Sequence, residues 1–133
     1  MDYDKVNDSG KREVMATGSQ RDSRGGKGRC DLFNALVLLR DARHMENGAA
    51  KYGDRNWEKG QPSSRFLDSA IRHILLYMVG DRSEDHLAAA RWNLAGIMFN
   101  EMMIERGLLP AELNDLPSYM PKSARAEEQG SSL

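Results

Sequence analysis

Apolar residues are scarce from Met1 to Arg29, and from Asp31 onward they recur with a helical period. Leu32, Phe33, Leu36, Val37, Leu39, Met45 and Ala49 fall at three- and four-residue steps. That spacing predicts an amphipathic helix with Asp31 as its N-cap, running to about Tyr52 and stopped by Gly53. Gly48 inside it costs about 1 kcal/mol relative to alanine, so close packing is expected to need a small residue there. After the polar loop 54–62, Ser63 or Ser64 caps a second helix that ends near Val79 and Gly80. Its stripe is Phe66, Leu67, Ala70, Ile71, Ile74, Leu75 and Met78. Asp81, with Glu84 three residues on, has the form of a capping box. It opens a third helix to about Arg106, built on Leu87, Leu94, Ile97, Met98, Met102 and Ile104 and closed by Gly107 and Pro110. Leu108, Leu109, Leu113 and Leu116 predict a short C-terminal helix.

The pattern shows no strand-type alternation and no internal repeat, so the predicted fold is all-α: a bundle of three principal helices plus a short fourth. Residues 1–29 are rich in Gly, Ser and charge and are expected to form a flexible basic and polar arm. Residues 30–107 are the expected helical domain, and 108–133 a C-terminal extension with a disordered end.

Composition narrows the function. A chain of 133 residues fits one domain, or one domain with tails, and its small core makes oligomer formation a natural way to bury more surface. Nineteen basic against twenty acidic residues give a net charge of -1, which excludes a bulk polyanion binder. Stable nucleic-acid binding is not expected. A single cysteine, Cys30, excludes a disulfide framework and a thiolate zinc site. No apolar run reaches the ~18 residues of a membrane span, and the polar N-terminus is unlike a signal peptide. The expectation is an intracellular protein with no membrane association.

Polar groups beside the apolar stripes are the candidates for chemistry. Glu46 edges the first stripe, as a solvated helix flank would or as a metal-binding carboxylate would. Arg65, Asp68 and Arg72 share one face of the second helix, either as an exposed ion-pair ladder or as a metal-binding carboxylate beside a phosphate-binding cation. His73 falls on the stripe of Phe66, Ala70 and Tyr77, a position more often a satisfied core residue than a ligand. His86 and Asn93 lie seven apart on one side of the third helix, and a buried Asn93 needs either a polar ligand or an interhelical hydrogen bond. Asp81, Glu84 and Asp85 gather where the helix dipole favours acids regardless of function, which leaves Asp85 a secondary metal candidate. In an up-down-up bundle Glu46 and Asp68 can converge, whereas Asp85 starts the third helix at the other end. Facing-helix carboxylates suit Mg²⁺ or Mn²⁺. The phosphate-loop, HExxH, GxSxG and His-Asp signatures are absent, and Gly25 to Gly28 resembles a phosphate loop only loosely.

Four ordered segments carry a family resemblance: Lys27 to Leu32, Gly48 to Gly60 (GAAKYGDRNWEKG), Arg65 to His73 (RFLDSAIRH) and Asp85 to Asn93 (DHLAAARWN). Together, over about Lys27 to Glu105, they resemble the phage dATP/dGTP diphosphohydrolases, MazG-like members of the all-α nucleotide pyrophosphohydrolases. The likeness is greatest to members carried by phages that replace adenine with 2-aminoadenine. The resemblance implies a Mg²⁺- or Mn²⁺-dependent enzyme that cuts a purine deoxynucleoside triphosphate, dGTP or dATP, into monophosphate and pyrophosphate. It further implies a homodimer or homotetramer in the cytoplasm of an infected bacterium, supplying dGMP for the modified base.

In that superfamily an ExxE helix and a later ExxD helix hold the metal. Here Glu46 and Asp68 match the first and last acids, while Ala49 and Arg65 occupy the other two positions. Asp85, Glu84 or His86 are then candidates to complete the set, from the same or a partner subunit. By the same resemblance Glu46 and Asp68 are the expected catalytic carboxylates. Lys27, Lys51 and Arg72 are expected on phosphate, and Asn56, Trp57, His73 and Asn93 elsewhere on the substrate. Two alternatives remain at this point. One is a non-catalytic helical phage protein that binds a partner protein or nucleic acid; the other is a triphosphohydrolase that releases tripolyphosphate.

Overall fold

The structure, a computed structural model, describes residues 3–122. The end of the expected C-terminal extension therefore lies outside the described residues. The chain divides into two compact units, Met1–Ala35 and Leu36–Leu133.

The first unit departs from the expected arm because it contains a hairpin. Strands β1 (Arg12–Val14) and β2 (Gln20–Asp22) pair antiparallel, with Arg12 opposite Asp22 and Glu13 opposite Arg21. Opposite charges face each other across the ladder, and this is the stabilising unit of the pair. Asp22 also accepts from the Ser9 hydroxyl at 2.7 Å and the Lys27 ammonium at 2.6 Å, while Arg12 pairs with Asp8 at 2.7 Å. The Asp22 carboxyl is accordingly held below its ordinary range, first by Lys27 and then by Ser9. Gly18, at φ +88°, makes the turn and donates its amide to Met15.

Three helices build the second unit: α1 (Ala35–Tyr52), α2 (Ser63–Met78) and α3 (His86–Glu105). The first helix starts later than predicted. Asp31 sits in a 3₁₀ turn, Cys30–Leu32, where its carboxylate takes the Arg29 guanidinium at 2.8 and 2.9 Å instead of capping a helix. The capping at α3 also differs. Asp85, not Asp81, is the N-cap and accepts from the Ala88 amide at 3.1 Å. The predicted C-terminal helix is one 3₁₀ turn, Ala111–Leu113. Beyond it Asp115 reaches back to the start of α2, accepting from the Ser64 amide at 2.8 Å and from the Ser64 hydroxyl. It thereby satisfies an amide at the helix start that Pro62, the N-cap residue, cannot.

The helices run up-down-up. Arg40 near the start of α1 pairs with Asp85 at the start of α3, at 2.6 and 2.7 Å. Next to Arg40, Asp41 pairs with Arg91 at 2.9 Å, and one turn on the His44 ring meets the Trp92 ring at 6.1 Å. The packed core is the α2–α3 seam of Phe66, Ala70, Ala88, Ala89 and Ala90. Gly96 lies against the Phe66 ring, where a Cβ would stand 2.6 Å from two of its carbons. At the far end the Asn100 amide donates to the Gln61 carbonyl at 2.7 Å and the Ser63 hydroxyl at 3.1 Å.

The predicted α1 stripe is not core in this chain. No residue of α1 is buried, and Leu36 and Leu39 are 79% and 65% exposed. Ile71, Leu75 and Met78 on α2 and Leu94 and Met98 on α3 are exposed as well. No described helix is long and apolar enough to cross a membrane. Nor does packing require a small residue at Gly48, since nothing lies within 4 Å of a Cβ built there.

Candidate functional site

Two polar neighbourhoods lie at opposite ends of α1. At its C-terminal end, Met45, Gly48 and Tyr52 line a cleft of about 330 Å³ with Asn56, Trp57 and, from α3, Trp92. The chain can turn there because Gly53 takes φ +92° and Arg55 takes φ 57°, a left-handed conformation rare for a residue with a side chain. The turn leads into the 3₁₀ segment Asn56–Lys59, which places both Asn56 and Trp57 on the cleft. Trp57 is fixed edge-to-face on Phe99 at 4.9 Å, and Trp92 packs on Phe66 at 5.7 Å. Two braced indoles and an amide make a surface on which a planar heterocycle can stack and be hydrogen-bonded.

The second neighbourhood is the α2–α3 turn. His86, the first residue of α3, is buried with its Nδ1 2.9 Å from Nδ1 of His73 on α2. Its Nε2 is hydrogen-bonded to the Asp81 carboxylate, which also accepts from the Ser83 hydroxyl at 2.7 Å. These bonds, His86 first, hold the Asp81 carboxyl below its ordinary range. Glu84 places a carboxylate oxygen 3.4 Å from His73 Nδ1 and 3.9 Å from His86 Nδ1. Burial pushes the His73 imidazole down, against the pull of Glu84.

The other expected site residues have partners or surroundings of their own. Glu46 is exposed on α1 beside the cleft-lining Met45. Asp68 is exposed and ion-paired to Arg72 at 2.5 Å, the i,i+4 pair of an exposed ladder. Asp85 is taken up by Arg40 and the α3 cap, and the Arg40 bond draws its carboxyl down to about 2. Lys51 has its ammonium 5.1 Å from the centre of the Tyr52 ring. Lys27 belongs to the first unit and holds Asp22. Asn93 is buried, and its amide donates at 2.8 Å to the Ala89 carbonyl of its own helix rather than across to a neighbour.

A family model described as dATP/dGTP diphosphohydrolase, N-terminal, matches residues 17–109, most of the chain. The chain belongs to the dATP/dGTP diphosphohydrolase family. This diphosphohydrolase is therefore an enzyme of the pyrophosphate-releasing class of nucleotide hydrolases, and its all-α bundle agrees with the expected fold. It matches no curated protein and no solved structure.

The match spans every element that lines the cleft and the histidine cluster. Among the described residues, the metal-capable side chains that come within 4.8 Å of one another in a group of three are His73, Glu84 and His86, not Glu46, Asp68 and Asp85. In the sequence Glu84 and His86 stood only as possible completions of a carboxylate set, because nothing in a helical period brings His73 across a turn to meet them. The available signal was two histidines, one within a helix that Gly80 ends and one after it, with a short acidic turn between them.

Proposed function

We propose that this diphosphohydrolase acts on purine deoxynucleoside triphosphates, dGTP and also dATP, releasing the monophosphate and pyrophosphate. The cleft at the end of α1 carries the proposal: its lining comes from the Gly48–Trp57 run that resembles the family, and it joins two aromatic faces to an amide. Its volume of about 330 Å³ lies at the lower end of small-molecule sites. The purine stacks between Trp57 and Trp92, and the Asn56 amide reads its polar edge. Lys51, on the last turn of α1, meets the phosphates. Arg72 joins it when a phosphate oxygen displaces Asp68. Water attacks the α-phosphorus, the bond to the bridging oxygen breaks, and pyrophosphate leaves with its electron pair.

The reaction is read as dependent on Mg²⁺ or Mn²⁺, which would supply charge neutralisation on the triphosphate. Glu46 and Asp68 are its proposed carboxylates. A second copy in a homodimer or homotetramer completes the ligand set and covers the exposed apolar residues of α1 and α2. In the setting of a MazZ-type phage enzyme, the product dGMP feeds synthesis of 2-aminoadenine nucleotides in the cytoplasm of the infected host.

Steady-state kinetics test the cleft. Trp57→Ala and Asn56→Ala should raise KM for dGTP at least about tenfold, as loss of a stacking surface or a buried hydrogen bond does. Unchanged KM in both would remove the cleft from the substrate site.

A further inference from the structure

Apart from the nucleotide cleft, the α2–α3 turn carries the donor set of a transition-metal site. His73 Nδ1, His86 Nδ1 and a Glu84 oxygen form a triangle with sides of 2.9, 3.4 and 3.9 Å. Donors bound at 2.0–2.2 Å to one tetrahedral ion stand about 3.3 to 3.6 Å from each other, a spacing within that range of sides. The tautomer is set from outside the triangle. An ionised Asp81 can only accept, so His86 carries its proton on Nε2 and turns the Nδ1 lone pair toward His73 and Glu84. A carboxylate on the far nitrogen of a ligating imidazole is the usual outer partner of a metal-bound histidine.

The turn around the triangle is tied down by its own contacts. Arg82 stacks on the Tyr77 ring at 4.0 Å and donates to the carbonyls of Tyr77 and Asp81 at 3.0 and 2.8 Å. Asp81 donates its amide to Leu76, and the Asp85 cap fixes the first turn of α3 that bears His86. Glu84 is exposed, so the triangle opens to solvent on its carboxylate side, and a water or a substrate oxygen can take a fourth position. In the metal-free chain the short contact between the two Nδ1 atoms is a hydrogen bond in which His73 donates. An ion takes the place of that proton.

We infer that His73, Glu84 and His86 bind a single divalent transition-metal ion of the zinc, cobalt or manganese class, with Asp81 positioning His86. Two imidazole nitrogens and one carboxylate favour these ions over Mg²⁺, which prefers an all-oxygen shell. The inference goes beyond the nucleotide reaction and does not rest on it.

The test is a titration of the chelator-treated full chain with Co²⁺, followed by visible d–d absorption, with Zn²⁺ as competitor and Mg²⁺ alone as control. The expected result is saturation at one Co²⁺ per chain, displacement by Zn²⁺ and no displacement by Mg²⁺. Glu84→Gln alters an exposed side chain and should leave the far-ultraviolet circular dichroism unchanged while weakening Co²⁺ binding at least about tenfold. His73→Gln should do the same, and Asp81→Asn should cost about 10- to 100-fold through the positioning of His86. Absence of stoichiometric absorption in the wild-type chain would overturn the site. So would Co²⁺ affinity unchanged in both Glu84→Gln and His73→Gln.

Discussion

Gly48 and Gly96 are both helix-interior glycines, and the same change at each should move stability in opposite directions. Neither sits at a positive φ, so alanine carries no backbone strain at either position, and each substitution gains about 1 kcal/mol of helix propensity. At Gly48 nothing lies within 4 Å of the added methyl, and the gain is kept. At Gly96 the methyl would stand 2.6 Å from Cε1 and Cζ of Phe66 and 2.9 Å from Cδ1. That ring is 2% exposed and braced on Trp92 at 5.7 Å, so it has no open space to retreat into. Overpacking of this kind costs about 1–3 kcal/mol, and two contacts this short belong in the upper half of that range. Gly96→Ala should therefore lose about 1–2 kcal/mol net, while Gly48→Ala gains about 1 kcal/mol. Each kcal/mol moves the midpoint of a domain this size by roughly 4–8 °C. Thermal and urea unfolding at matched protein concentration reads both, because assembly would add a concentration-dependent contribution. A Gly96→Ala protein as stable as wild type would refute the tight Phe66 seam. A destabilised Gly48→Ala protein would show that α1 is covered at a place where the single chain leaves it open.

Other consequences can be checked separately. Because Gly48 also lines the cleft, its alanine variant should show a raised KM for dGTP together with the raised melting point; an unchanged KM would count against nucleotide binding there. The Asp115 carboxyl is held below its ordinary value of 3.8, chiefly by the Ser64 hydroxyl and then the Ser64 amide. Its stabilisation should be complete above pH 3.8 and disappear as pH falls through the lower folded value, since the unfolded chain takes up the proton first. Melting curves between pH 2 and 6 should show that loss in wild type and not in Asp115→Asn; parallel curves would mean the segment after α3 does not hold α2. Asp85→Ala removes the α3 cap and should cost about 1–2 kcal/mol in urea unfolding, with a cost near zero contradicting the assigned cap. Leu39→Glu, on the exposed stripe of α1, should lower the oligomeric state in light scattering, and an unchanged mass would place the interface elsewhere.

The helices were legible because an apolar period states which residues share a face, and α2 and α3 fall within a few residues of their predicted bounds. The same period does not state what covers a face, and for that reason the α1 stripe read as core although it is exposed in the single chain. The hairpin was illegible for a different reason: its ladder is held by Arg12, Glu13, Arg21 and Asp22, so no apolar alternation marks it. Among the acids of the α2–α3 turn, composition could not separate a cap from a histidine partner. Asp85 reaches the Ala88 amide and Asp81 reaches His86, and only the path of the turn after Gly80 decides between them. Asn56 and Trp57 were expected on the substrate; both line the cleft, and their proximity to Trp92 depends on tertiary packing, not spacing.

The most direct test of the central claim is identification of products when the protein is mixed with dGTP, dATP, dCTP or dTTP, each with Mg²⁺ or Mn²⁺. The account predicts monophosphate and pyrophosphate from the purine triphosphates, in a reaction weakened by Trp57→Ala. Tripolyphosphate and nucleoside as products, or no turnover of either purine triphosphate with either metal, would contradict it.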